Sequence, residues 1–516
     1  MESTGNAAVR SQRLRTLIIP ALILLHLAIT LPLAALVNLW IDETFSLETT
    51  RHSLVHAFTR GIQFELQPPV YFALLNLWRN FGASIFVARL FSVICVMLML
   101  LVVAALSRRY FRNQHPGWLV GAVALNPFVI WAAVEIRVYA LALLLSSLLI
   151  LFYFDGWWAE ESEKRNRARW GYALVALLGL YTHYYLGFLL VANAVALLWR
   201  RNGKSLVSYL ASMMAVGVAF LPLAMVVRSQ LAGHTQTLSV KHSLVDDVRL
   251  LWWHAQEYLL PASWKATAGL QRAMIGLLAL VLLFLLLRRF RDLVTTDHLA
   301  LWTVTGIAGL FFLVALKLTG PILMETRHMV ALFLPLLLSF FAVLKTMGGR
   351  RVLVAWTTIL LFFYISSLLV VWRPMAKVGD WQRVAAWLEQ AEKPGEPIAV
   401  FNIAGALSLQ HYYHGVNPAI QLPRDTPLDQ YDARDYRFHN ETEIAEALSR
   451  VQNASGRLWL ITDPDKGCQS MEVDLNCREL EDYLAAHYVV EKEQSFFHSR
   501  IRLLQAKAAM IAKMKE

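Results

Sequence analysis

Charge is scarce in this chain: Asp, Glu, Lys and Arg make up 16% of 516 residues, where a soluble domain carries about a quarter. That deficit excludes a soluble enzyme as the reading of the whole molecule. Cysteine is nearly absent, with three residues in all, which excludes a disulfide-stapled scaffold and a cysteine-rich metal framework. Cys95 falls inside an apolar run; Cys468 and Cys477 are left either to pair, if their region is extracytoplasmic, or to remain two free thiols. There is no Gly-rich phosphate loop, no cysteine pair at metal spacing, no internal repeat and no low-complexity segment.

What is abundant is apolar sequence, 57% of the residues, with a mean hydropathy of +0.46. The apolar residues fall in runs from Thr16 to about Trp372 and then stop. The formal charge of +11 divides unevenly: residues 1–372 hold 31 Lys and Arg against 16 Asp and Glu, and residues 373–516 hold 17 against 21. Basic residues between membrane spans are topology signals, so the excess gives no support for a nucleic-acid partner.

The first run, Thr16 to Leu39, is too long for a signal-peptide core and reads as a span. Further runs able to cross ~30 Å of hydrocarbon lie near 85–106, 117–134, 138–154, 169–181, 186–199, 205–227, 273–287, 298–316, 328–344 and 352–372, which makes about eleven spans. Arg10, Arg13 and Arg15 and the clusters at Arg108, Lys164, Arg200, Arg288 and Arg350 all fall on one side of this alternation. The positive-inside rule then places the N-terminus in the cytoplasm and the tail outside, in a multi-pass protein of the plasma (inner) membrane. The run Pro68–Trp78, PPVYFALLNLW, is too short to span and reads as an interfacial or re-entrant helix within a long first outer loop, 40–84.

The sequence thus predicts a polytopic α-helical membrane domain, 1–372, followed by an extracytoplasmic α/β domain, 373–516. In the latter, Asp380–Ala391 and Glu441–Gln452 read as helices and Pro397–Asn402 and Arg457–Thr462 as strands. His411 and His414 stand three apart there, a spacing that fits a wetted pair far better than a metal site.

Ionisable residues concentrate where spans meet the outer face: Asp42 and Glu43 after the first span, Arg89 one turn into the second, Glu135 and Arg137 in a three-residue hinge, His183 among tyrosines, and Glu325, Arg327 and His328 at one mouth. Burying such groups costs several kcal/mol unless something pairs with them, so they are functional candidates. Each also has a plainer reading. Asp42 or Glu43 can cap a surface helix, Glu135 and Arg137 can pair with each other, His183 can be an interfacial hydrogen-bonding residue, and Arg89 or Arg327 can snorkel to lipid head groups. Their gathering in one leaflet suits an anionic phosphate and a hydroxyl that must lose a proton.

Taken in order, WIDETFSLE at 40–48, LQPPVYFALLNLW, VARLFS at 87–92, EIRVYALALLL at 135–145, THYYLGFLL at 182–190, ETRHMVALFLPLL at 325–337 and DWQRVAAWL at 380–388 resemble the GT-C superfamily. The closest resemblance is to its polyprenyl-phosphate-sugar transferases of the protein-mannosyltransferase and aminoarabinose-transferase kind. It covers residues 16–390 and implies an inverting glycosyltransferase that takes a sugar from a polyprenyl-phosphate donor to an extracytoplasmic acceptor. The resemblance implies Asp42 as base with Glu43 as runner-up, Glu135 as a second acidic position with Arg137 beside it, and Arg327 on the leaving phosphate with His183 or Arg89 as helpers. Gln67, Tyr71 and Tyr139 lie within the same motifs as substrate-contact candidates. Many relatives have His or Lys where this chain has Gln67. No cofactor is implied; a divalent cation held by the acidic loops is the one metal to consider. Competing readings are a transporter or flippase of lipid-linked sugars, which predicts midplane polar residues and repeats that this chain lacks, and a non-catalytic scaffold.

Overall fold

The computed structural model describes residues 2–508 apart from 112–113, 160–164, 201, 236–242, 262–267, 289–295, 320–324, 348–349, 372–378, 402–404, 426–432, 454, 464–468 and 471–472. The chain forms two compact units. One comprises Met1–Ala35 and Thr49–Trp372, the other Leu36–Glu48 and Arg373–Glu516.

The first unit is helical. α1 (Glu2–Leu36) contains the apolar stretch Leu17–Leu36. α2 (Ile41–Thr49) belongs almost wholly to the second unit. The first unit resumes with α3 (Leu54–Gln63), α4 (Val70–Trp78), α5 (Ile85–Tyr110), α6 (Gly117–Ala124), α7 (Pro127–Ala133), α8 (Tyr139–Tyr153), α9 (Arg165–Leu180) and α10 (Gly187–Trp199). It continues through α11 (Gly203–Thr235), α12 (Leu244–Leu259), α13 (Ala268–Arg288), α14 (Thr296–Thr319), α15 (Val330–Met347) and α16 (Arg350–Val371). α8 is apolar all round and buried along most of its length, as the central helix of a bundle must be.

Among the described residues six helices are long and apolar enough to cross a membrane, and three shorter apolar ones lie at Tyr184–Trp199, Gly269–Val281 and Val354–Leu369. The protein is a multi-pass membrane protein, and the expectation of about eleven full-length spans is not met by helix length. The run 117–134 shows why. It is apolar throughout, but Pro127 cannot donate an N–H, and Asn126 instead caps α7 by accepting from Phe128 N–H at 2.9 Å. The run therefore splits into α6 and α7. α4 has nine residues. At 1.5 Å per residue it covers about 14 Å, less than half of a bilayer core.

The second unit is α/β. α17 (Trp381–Ala391) precedes β1 (Ile398–Phe401), followed by α18 (Gly405–Leu409), β2 (Ala419–Gln421), α19 (Glu441–Val451) and β3 (Arg457–Thr462). A short hairpin of β4 (Gln469–Ser470) and β5 (Val473–Asp474), then α20 (Cys477–His487), lead to β6 (Tyr488–Phe496) and β7 (Ser499–Ala506). The five-stranded sheet has the order β2-β1-β3-β7-β6, with β1 parallel to β2 and β3, and β7 antiparallel to β3 and β6. Side-chain alternation sends Ile398, Val400, Trp459 and Ile461 to a face covered by α17, and Ala399, Phe401, Leu458 and Leu460 to a face covered by α19 and α20. Cys477 is disulfide-bonded and Cys95 is a buried free thiol; Cys468 lies outside the described residues.

Candidate active site

In the first unit the outer-mouth motif folds as a single 3-10 turn, Thr326–Met329, leading into α15. Glu325 caps the turn, its own N–H donating to His328 Nδ1 at 3.1 Å. Two residues of α12 seat it from the other side: His254 Nδ1 lies 2.6 Å from Thr326 Oγ1, and Tyr258 donates its hydroxyl to the Thr326 carbonyl at 2.5 Å. Held this way, Arg327 stays largely buried, with Nε 3.0 Å from the half-exposed carboxylate of Glu325. His328 interacts electrostatically with Arg327, His183, Arg137 and His254. Its ring also lies 6.3 Å from that of the buried Tyr139. Two guanidiniums, Arg327 and Arg137, thus lie near His328, each with a carboxylate partner. His183 is not a fixed cation. Burial pulls its imidazole down to about 4, and its Nδ1 has no hydrogen-bond partner among the described residues.

Arg137 has a partner that the hinge sequence did not suggest. Its Nη1 donates to Glu65 Oε2 at 2.7 Å, with both side chains almost fully buried. The other Glu65 oxygen accepts from Thr49 Oγ1 at 3.0 Å, and Thr49 accepts from Arg60 Nε at 3.2 Å. Glu135 is fully buried, and its carbonyl accepts from Ser92 Oγ at 2.5 Å. Arg89 is also fully buried, with Nη1 donating to the Ala34 carbonyl at 3.0 Å. Tyr71 is buried edge-on against Phe72 and Phe91. Gln67 is partly buried beside it in sequence, its N–H on the Gly61 carbonyl at 3.0 Å. Glu65, His254 and Tyr258 were not singled out from sequence. Glu65 stands immediately before the LQPPVYFALLNLW motif, whereas nothing around His254 marks it. The buried Glu65–Arg137 pair makes a sharp prediction. Arg137→Met leaves an uncompensated carboxylate and is expected to cost about 3–5 kcal/mol, and adding Glu65→Gln should recover part of it. Thermal unfolding of the two single variants and the double variant measures this; simple addition of the two single losses would contradict the coupling.

The second unit holds the first acidic motif. Asp42 and Glu43 occupy the first turn of α2, a favourable end of the helix for carboxylates. The segment is helical, so the two side chains project about 100° apart, not to opposite sides as an extended strand would have it. Asp42 is partly exposed and Glu43 fully buried. The segment is gripped by the start of α17. Asn38 Nδ2 donates to the buried Asp380 Oδ1 at 3.1 Å, Asn38 Oδ1 accepts from Gln382 N–H at 2.9 Å, and Arg383 Nε donates to Asp380 Oδ2 at 2.5 Å. Leu39 N–H donates to the Tyr412 hydroxyl at 2.9 Å, and Thr44 Oγ1 lies 3.3 Å from Ser408 Oγ. The DWQR motif therefore serves as a clasp for the acidic helix. Asn38→Ala is expected to cost about 1–3 kcal/mol through the buried groups it strands. Thermal unfolding of the full-length protein measures this; an unchanged unfolding temperature would show that the clasp does not hold α2.

Among the described residues no group of three or more His, Cys, Asp or Glu side chains is placed to hold a metal ion. No step is assigned to a divalent cation.

The two units together give a fold that solved structures share over nearly the whole chain. No family model matches the sequence, and no curated protein matches it significantly. Among solved structures, ArnT from Cupriavidus metallidurans bound to undecaprenyl phosphate superposes with a TM-score of 0.52 at 14% identity, over 95% of this chain and 98% of that one. The same protein in its apo state gives 0.51 at 13% identity, over 98% and 99%.

Proposed function

We propose that the protein is an integral-membrane glycosyltransferase that moves a sugar from a polyprenyl-phosphate donor to an acceptor on the non-cytoplasmic side, with inversion. The reading is carried by the arginines Arg327 and Arg137 near His328, on a fold shared over nearly its whole length with a protein that binds undecaprenyl phosphate. Such cations answer the one electrostatic demand of the reaction. As the bond between the anomeric carbon and the phosphate oxygen breaks, its electron pair leaves with the phosphate, and cations already in place stabilise that charge without reorganising.

In a single displacement the acceptor oxygen forms the new bond to the anomeric carbon, and its proton passes to a base. Asp42 is that base, partly exposed at the start of α2. Glu43, fully buried, fits a supporting role, and Glu135 is placed to orient the acceptor. Arg327 bears the phosphate charge, with Arg137 and Arg89 contributing potential and the neutral His183 a hydrogen bond. Gln67, Tyr71 and Tyr139 line the donor's path. The disulfide at Cys477 supports an oxidising, extracytoplasmic setting for the second unit, and with it a plasma (inner) membrane location with the N-terminus inside. Mass spectrometry of envelope glycans and glycolipids from cells with and without the protein tests the reading. One acceptor is expected to lose the mass of a single sugar in its absence, and identical profiles would contradict it.

A further inference from the structure

The second unit has a crevice that the transfer reaction does not use. β1 lies between its two parallel neighbours, and the chain leaves it in one direction and β3 in the other. α18, after β1, places Ala406 and Leu409 on the Trp381 face of the sheet, whereas α20, after β3, places Leu480 and Leu484 on the opposite face. α18 and α20 thus part to opposite faces of the sheet. In open α/β sheets such a parting is where ligands bind. A cavity of about 330 Å³ lies there, lined by Phe401 at the end of β1, Thr462 and Asp463 at the end of β3, Arg478 and Glu481 on the first turns of α20, and Arg500 on β7.

The lining defines the ligand chemistry. Two carboxylates and two guanidiniums face one small space, so a phosphate or other anion would meet Asp463 and Glu481 as readily as the arginines. Glu481 is fixed, accepting from Arg500 Nη2 at 2.9 Å and from Arg502 Nη1 and Nη2 at 2.6 and 2.7 Å. The Asp463 side chain is almost fully buried, 3.7 Å from His498 Nδ1. Thr462 is buried, and its hydroxyl has no hydrogen-bond partner among the described residues. Fixed acceptors, planar donors, a spare hydroxyl and the aromatic ring of Phe401 match a neutral polyol with one apolar face. A nucleotide is disfavoured by the lack of a Gly-rich loop.

We infer that this crevice is a carbohydrate-binding subsite for one or two sugar rings, and that it holds the acceptor glycan; only the second clause rests on the glycosyltransferase reading. The test uses the full-length protein in lipid nanodiscs, titrated with methyl glycosides of glucose, galactose, mannose and N-acetylglucosamine, their β-1,4 disaccharides, and inorganic phosphate, followed by ligand-observed NMR. At least one glycoside is expected to bind saturably. Asp463→Asn should weaken it roughly tenfold, about 1.4 kcal/mol, and Thr462→Val, which keeps the side-chain volume, should also weaken it. Arg327→Met should leave it unchanged. Saturable binding by none of the sugars, equal binding by both crevice variants at wild-type unfolding temperature, or preference for phosphate would each overturn the subsite. Loss of sugar binding with donor turnover retained on a short acceptor removes the subsite alone. Sugar binding without any transfer removes the enzymatic reading and leaves the subsite.

Discussion

Asp42→Asn is expected to lower kcat by about a hundredfold to ten-thousandfold, the range a positioned general base contributes, while the protein still binds donor lipid. The substitution keeps the size of the side chain and leaves untouched the contacts that hold α2, which run through Asn38, Leu39 and Thr44. It removes the carboxylate that accepts the proton. Glu43→Gln serves as the contrast. Because Glu43 is fully buried, its loss should appear first in the unfolding temperature and only secondarily in turnover. If Asp42→Asn turned over at the wild-type rate while Glu43→Gln was inactive at wild-type stability, the base would be Glu43.

Arg327→Met should reduce kcat by about a hundredfold to a thousandfold, the usual effect of deleting one preorganised donor to a developing oxyanion. The Glu325 ion pair adds little to the stability lost. The guanidinium's partner, Glu325, is 55% exposed, and an ion pair open to water on one side contributes at most about 1 kcal/mol. Arg327→Lys keeps the charge and loses the planar fork, so it should recover only part of the rate. His183→Gln should cost less than Arg327→Met, because the imidazole is neutral near pH 7 and supplies a hydrogen bond without a charge. Turnover by Arg327→Met within tenfold of wild type would take this arginine out of charge stabilisation.

Sequence patterning was informative where one physical signal dominated. The helix at Trp381–Ala391 has a clean 3.6-residue period and the strand at Arg457–Thr462 is a short β-rich apolar run buried on both faces, and the structure has them at those positions. β6 carries Glu491, Lys492 and Glu493 and is exposed along most of its length. It is held by its ladder to β7 and has no apolar face to betray it. Hydropathy likewise located the apolar runs but not their breaks, because the cap formed by Asn126 and Pro127 is a matter of hydrogen-bond donors and not of polarity. The outer-face charges were visible because apolar neighbours made them conspicuous, yet their partners were not. Arg137 meets Glu65, 72 residues away, and Asn38 meets Asp380, 342 residues away. Such pairings arise only when the fold closes, which is also why the clasp on the acidic helix could not be read from either motif alone.

The central claim is that a sugar leaves its lipid phosphate at this protein and does so only when an acceptor takes it. Purified protein reconstituted into liposomes with a labelled polyprenyl-phosphate sugar, with and without acceptor extracted from the envelope, measures this directly. Release of polyprenyl phosphate that depends on acceptor, with inverted configuration at the anomeric carbon of the product, is the expected result. Movement of the intact labelled lipid between leaflets without acceptor, and with no release of polyprenyl phosphate when acceptor is added, would contradict it.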